Sequence, residues 1–281
     1  MISIAIHDYQ KWLKSDKHII TAFSLICLYM YVLQPLTYFS DMFEENVNLI
    51  EPFMIMLGNG YCIPIIVITF VVTMIDFPDI SDYSIFVMIR TGRIRWLNSQ
   101  IIFVLLSSIS FILLYFIISI IFVMTNSFVS EQWSELIKIV SLPQNEELRL
   151  QYPLAVLDLS IVNNYDTNIA LMYSVLLMFL HLILTAQIQM VMSLATNKII
   201  GMCSNLFLLG IGIIFWATDN KLKWLFPFAN STIGWHYDPL YNKMEVSIFF
   251  SIVYMIVSNI FLYFIGQGIM KNKMIALLGS D

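Results

Sequence analysis

The sequence predicts an all-α polytopic membrane protein with six transmembrane helices, and two observations carry that prediction. Hydrophobic residues fill 59% of the 281 positions, charged residues only 12%, and the mean hydropathy is +0.80; soluble domains carry about 25% charge. The apolar residues also gather into stretches of the right length, since a helix rising about 1.5 Å per residue needs some 20 residues to cross about 30 Å of hydrocarbon. Six stretches qualify, at 18–38, 57–75, 99–124, 169–193, 199–217 and 246–267, and the chain 1–281 reads as a single transmembrane domain.

Taken in order, the chain opens with Ile2, Ile6, Tyr9 and Leu13 on one helical face and Lys11 and Lys14 off it. That pattern predicts an amphipathic helix lying at the membrane surface. The first apolar stretch lacks a small-residue cleavage site, so it reads as a retained span and not as a removed signal peptide. Pro35 and Pro64 fall inside spans one and two, where the missing amide hydrogen predicts a bend. Asn197 and Lys198 interrupt a run too long for one crossing, which makes spans four and five a tight hairpin. The six tryptophans lie at or beyond the ends of the apolar runs, as rings anchored among lipid headgroups do.

Six crossings place both termini on one side. Nine of the 14 Lys and Arg fall on that side and five on the other, so both termini are expected to be cytoplasmic, in a plasma (cytoplasmic) membrane. The basic residues form no block, which sets nucleic acid aside. Cys27, Cys62 and Cys203 lie in apolar runs, spaced as neither a metal site nor a disulfide framework. There is no P-loop pattern, no H-E-x-x-H, no G-x-S-x-G and no pair of acids within a span, so no catalytic residue and no metal ligand is assigned. His236 and Asp238 alone are too few ligands for a metal. Asn230-Ser231-Thr232 has the acceptor pattern for N-glycosylation, which applies only in a secretory pathway. His181 is the one ionisable residue deep within a span, with Gln187 and Gln189 following. It reads first as a neutral imidazole hydrogen-bonded to a neighbouring helix, and second, with Gln187, as a polar contact on a substrate path. Asn205 and Asn259 read as hydrogen-bonding partners between helices. Glu146, Glu147 and Arg149 read as a solvated face of an outer loop.

The most informative stretch lies between spans two and three. Asp79 or Ser81 can cap a helix, Asp82 suits its first turn, and Gly92 suits its end. Residues 85–89 are consecutively apolar and are followed by Arg90, Arg93 and Arg95, so a cover is needed: the bilayer surface or a groove in a cytoplasmic protein.

An amphipathic amino-terminal helix, six spans, a short first outer loop and a compact cytoplasmic helix between spans two and three resemble the permease subunits of type-two ATP-binding-cassette exporters over the whole chain. The resemblance is one of layout. It implies that residues 79–92 form the coupling helix that fits a cleft in the ATPase subunit, with Asp82, Tyr83, Phe86, Ile89 and Arg90 at the contact. It also implies a partly re-entrant segment between spans five and six, matched by the aromatic stretch 224–237 with Pro227 and Gly234. On this reading the chain is no enzyme. It would pair with a second permease, and ATP and magnesium would be bound only by cytoplasmic ATPase subunits. The cargo is expected to be amphipathic or apolar, a peptide, lipid or drug, because the spans offer almost no charge. The alternatives are a membrane-embedded enzyme built around His181, or a non-transporting sensor or immunity protein.

Overall fold

The computed structural model describes residues 1–237 and 243–278, with backbone alone at 82, 126, 143 and 272–278. Among them, five helices are long and apolar enough to cross a membrane, and a bent pair makes a sixth crossing if it counts as one span.

Helix α1 (Ile2–Leu13) packs along α7 (Arg93–Val123). Its buried side chains are Ala5 and Trp12, and Tyr9 turns inward to place its hydroxyl 2.5 Å from Ser110 Oγ. Ile2, Ile6 and Leu13 stay uncovered, as residues facing acyl chains at a membrane surface would. The first span is a 26-residue helix, His18–Phe43. It comprises α2 (His18–Leu28) and α3 (Gln34–Phe43) around a π-helical turn at Tyr29–Leu33. Where the sequence predicts a bend at Pro35, the helix runs on with this widened turn. The widened turn just before the proline absorbs the amide it lacks and the clash its ring would make one turn back.

The second expected span, read at 57–75 with a bend at Pro64, is instead broken near its start, and the apolar stretch begins earlier, at Glu51. Helix α4 (Glu51–Gly58) is buried along its full length, and α5 (Cys62–Thr73) leaves it at 80°. The corner is built at Asn59, whose backbone is extended and whose Nδ2 donates to the carbonyls of Pro153 and Val156. Pro64 bends nothing, because it falls in the first turn of α5, where its amide would have no helical partner.

Helix α6 (Asp82–Thr91) follows, and Gly92, at φ +89°, turns the chain into α7. Residues 127–166 then fold into a cap over α4. Strand β2 (Ser127–Phe128) pairs in parallel with β1 (Val47–Asn48), and α8 (Glu135–Ser141), α9 (Glu146–Gln151) and α10 (Leu159–Asn164) complete the cap. Glu51 anchors it. Fully buried, its carboxylate accepts from the amides of Asn48 and Ser134 and from Ser134 Oγ, at 2.6–2.8 Å.

Helix α11 (Thr167–Ala195) is the hub, packed against α4, α5, α7, α12 (Lys198–Ala217) and α13 (Ile248–Leu278). The expected hairpin between spans four and five is present, with Asn197 Oδ1 accepting from the Ile200 amide. Gly201 allows the two helices to close: a Cβ there would sit 2.7 Å from Ser193 Oγ. The apolar windows of α12 and α13 are only 22% and 17% buried, so these helices offer the broadest surfaces to lipid or to another membrane protein. Not every tryptophan is an anchor. Trp12, Trp96 and Trp133 are turned into the protein.

Candidate functional site

Helix α6 divides its side chains in two. Ser84 and Met88 are buried, while Tyr83, Phe86 and Ile89 are 61%, 63% and 65% exposed and Arg90 is exposed beside them. The spacing 83, 86, 89, 90 sets these four on one face. Within the run 85–89, Ile85, Phe86 and Ile89 are left open, Val87 is partly covered and Met88 alone is buried. The Asp82 side chain lies outside the described residues. Ser81 precedes the helix in extended conformation, but its side chain makes no capping bond.

The loop leading into α6 is gripped from three sides. Lys11 of α1 pairs with Asp79 at 2.5 Å, Lys17 pairs with Asp76, and Lys198 at the start of α12 lies 3.8 Å from Asp76 and 4.0 Å from Asp79. Each pair is substantially exposed, so none counts for much alone; their joint effect is to fix the loop to α1, to the start of α2 and to the α11–α12 turn. Asp8 lies nearby and accepts from Gln100 Nε2 at 2.8 Å, while burial raises its carboxyl above the usual range.

The polar residues inside the bundle mostly serve packing. Asn259 Oδ1 accepts from Gln187 Nε2 at 3.0 Å, joining α11 to α13. Gln189 reaches the Lys198 carbonyl at 3.1 Å, and its Oε1 accepts from Asn205 at 3.4 Å, joining α11 to α12. Asn205 and Asn259 therefore bridge helices, as expected. His181 differs from its first reading. It is buried, yet its Nδ1 has no hydrogen-bond partner, and the same holds for Thr167 and Ser174 at seven-residue spacing along α11. His181 and Gln187 are each 4% exposed, so a pathway enclosed between two copies would not meet them without a turn of α11.

At the cap end, residues 221–236 fold as three short 3-10 turns, at Lys221–Leu225, Ala229–Ser231 and Gly234–His236. Buried Asn230 holds them: its Nδ2 donates to the carbonyls of Trp224 and Phe226, and its Oδ1 accepts from Ser251 of α13. With both amide hydrogens engaged and no exposure, Asn230 is no glycosylation acceptor in this fold. His236 Nδ1 bonds the Val246 carbonyl at 2.9 Å, and burial pushes its imidazole down to about 4. Asp238 lies outside the described residues, among which no group of three or more His, Cys, Asp or Glu is placed to hold a metal. Sequence reasoning missed Glu51, because nothing local tells a buried carboxylate from a solvated one. No protein-family model, no curated protein and no solved structure matches this chain.

Proposed function

We propose that this protein is the transmembrane subunit of an ATP-driven exporter, crossing the membrane six times with both termini in the cytoplasm. The α4–α5 pair provides the second crossing. Separate ATP-binding-cassette ATPase subunits power it, and a second permease completes the pathway. The observation that carries the reading is the open face of α6. Tyr83, Phe86, Ile89 and Arg90 stand uncovered on a helix whose other face is fixed to the bundle. The helix is joined to α5 on one side and α7 on the other. A cytoplasmic groove that accepts Phe86 and Ile89 and meets Arg90 with an acidic rim would push on both spans at once. The grip of Lys11, Lys17 and Lys198 on residues 76 and 79 carries that push to α1, α2 and α12. The chain has no nucleotide-binding P-loop of its own, so the work must come from a partner. The cargo on this reading is an amphipathic or apolar peptide, lipid or drug.

The test is copurification from native membranes. The tagged parent should bring down a protein with a P-loop and ATPase activity. Truncating a buried interface aromatic costs about 2 kcal/mol or more, so a Phe86→Ala, Arg90→Glu variant should insert normally yet retain about thirtyfold less of it. A variant that holds the ATPase and stimulates it as the parent does would make α6 a membrane-surface helix and end the proposal.

A further inference from the structure

At the cap end, a cavity of about 510 Å³ opens between the α4–α5 corner, α9, the loop from α9 to α10 and the end of α12. One wall is aromatic. The Trp216 and Trp235 rings lie 4.8 Å apart at 31°, and Tyr61 meets Trp216 edge-on at 5.7 Å. The other wall is charged, with Glu146, Arg149 and Asp158 lining it. Two glycines shape the walls. A Cβ on Gly60 would lie 2.0 Å from Trp235 Cζ2, so the indole rests directly on the corner backbone, and a Cβ on Gly234 would lie 3.0 Å from Asp158 Oδ2.

We propose that this cavity binds a ligand through an ammonium group, with the cation against the Trp216 and Trp235 rings and its charge met by Asp158 and Glu146. Two carboxylates against one guanidinium leave the lining net negative, which turns away anions. Tryptophan faces attract cations more strongly than phenylalanine or tyrosine do. Asp158 is half-buried, and that burial raises its carboxyl despite the pull of Arg149 and Ser160. Among the described residues, neither Asp158 nor Glu146 has an ion-pair partner within 4.0 Å. A neutral polar ligand would not repay the desolvation of Asp158, whereas a cation would. The volume falls in the range of small-ligand sites. Arg149 competes for the same carboxylate, and that makes the proposal testable by a gain of affinity.

The site stands independently of the ATPase reading, because binding is measured on the isolated full chain, in maltoside micelles that carry no ammonium. Isothermal titration would compare choline, the lysine tripeptide Gly-Lys-Gly and 3,3-dimethylbutan-1-ol, which has the shape of choline without its charge. Saturable binding of either cation, at least about tenfold tighter than the neutral alcohol, is expected. The tighter cation tells a quaternary ammonium from the primary ammonium of a peptide side chain. Asp158→Asn should weaken the cation about tenfold, and Arg149→Gln should tighten it severalfold, a change that misfolding cannot imitate. Equal binding of the alcohol, or no saturable binding of either cation to a chain that still melts cooperatively, overturns the site. So does an Arg149→Gln variant that binds no tighter than the parent.

Discussion

Replacing Gly60 with Ala puts a methyl group 2.0 Å from Cζ2, 2.9 Å from Cε2 and 3.0 Å from Cη2 of Trp235, all atoms of one rigid ring. No rotation of a flexible tip relieves that overlap, so the indole must leave the corner. It would leave behind its contacts with Trp216 at 4.8 Å and Phe228 at 4.7 Å. Overpacking costs about 1–3 kcal/mol, and each aromatic pair contributes about 0.5–1.5 kcal/mol beyond its buried area. Partial loss of both pairs gives a destabilisation of about 3 kcal/mol. At about 2–4 °C per kcal/mol, the melting temperature should drop by about 6–12 °C. Intrinsic tryptophan fluorescence in maltoside, scanned at one fixed rate because such unfolding is kinetically controlled, reads the shift. Gly210→Ala is the matched control. Its added Cβ meets nothing within 4 Å, and a helical alanine gains about 0.5–1 kcal/mol over glycine. If Gly60→Ala melts with the parent or with Gly210→Ala, the packing described at this corner is wrong.

Glu51→Ala should loosen the cap, because it strands the Asn48 and Ser134 amides and the Ser134 hydroxyl at about 1–3 kcal/mol each; limited proteolysis within residues 127–166 should accelerate severalfold, and an unchanged rate would contradict the anchor. His236 sets a pH window. Its folded imidazole is pushed down to about 4, so between the unfolded value near 6.5 and about 4 the opened segment takes up a proton that the folded one refuses. Stability of residues 221–237 should be constant above pH 6.5 and fall by about 1.4 kcal/mol per unit below it, a slope that hydrogen exchange should lose in His236→Gln. For orientation, single cysteines at exposed Glu45 and Gln144, in a variant lacking Cys27, Cys62 and Cys203, should react with an impermeant thiol reagent in intact cells, while those at Lys14 and Tyr83 should not. The reverse pattern would take α6 out of the cytoplasm.

The long helices were legible because hydrocarbon demands about 20 apolar residues and the chain supplies them in blocks. The α11–α12 hairpin was legible for the same reason, as was the Gly92 stop, where a positive φ favours glycine. The α4–α5 corner was not, since hydropathy registers composition along the chain and residues 51–75 stay apolar through an 80° turn. What makes the turn is Asn59 bonding to carbonyls some 94 and 97 positions away, a long-range fact with no local trace. The same holds for Asp158. It becomes part of a cavity only because residues 58–61, 146–158, 216 and 235 converge, whereas Phe86 and Ile89 could be assigned a shared face from their spacing alone.

The lysines that grip Asp76 and Asp79 come from opposite ends of the sequence, which gives the grip an order in time. As the chain is synthesised, Lys11 and Lys17 are made before the aspartates, and Lys198 only after six further α-helices, α6 to α11, have emerged. The first two pairs can therefore form while α11 and α12 do not yet exist, holding the approach to α6 in place early. The third waits for the hairpin and registers its arrival at the face where the loop before α6 is already held.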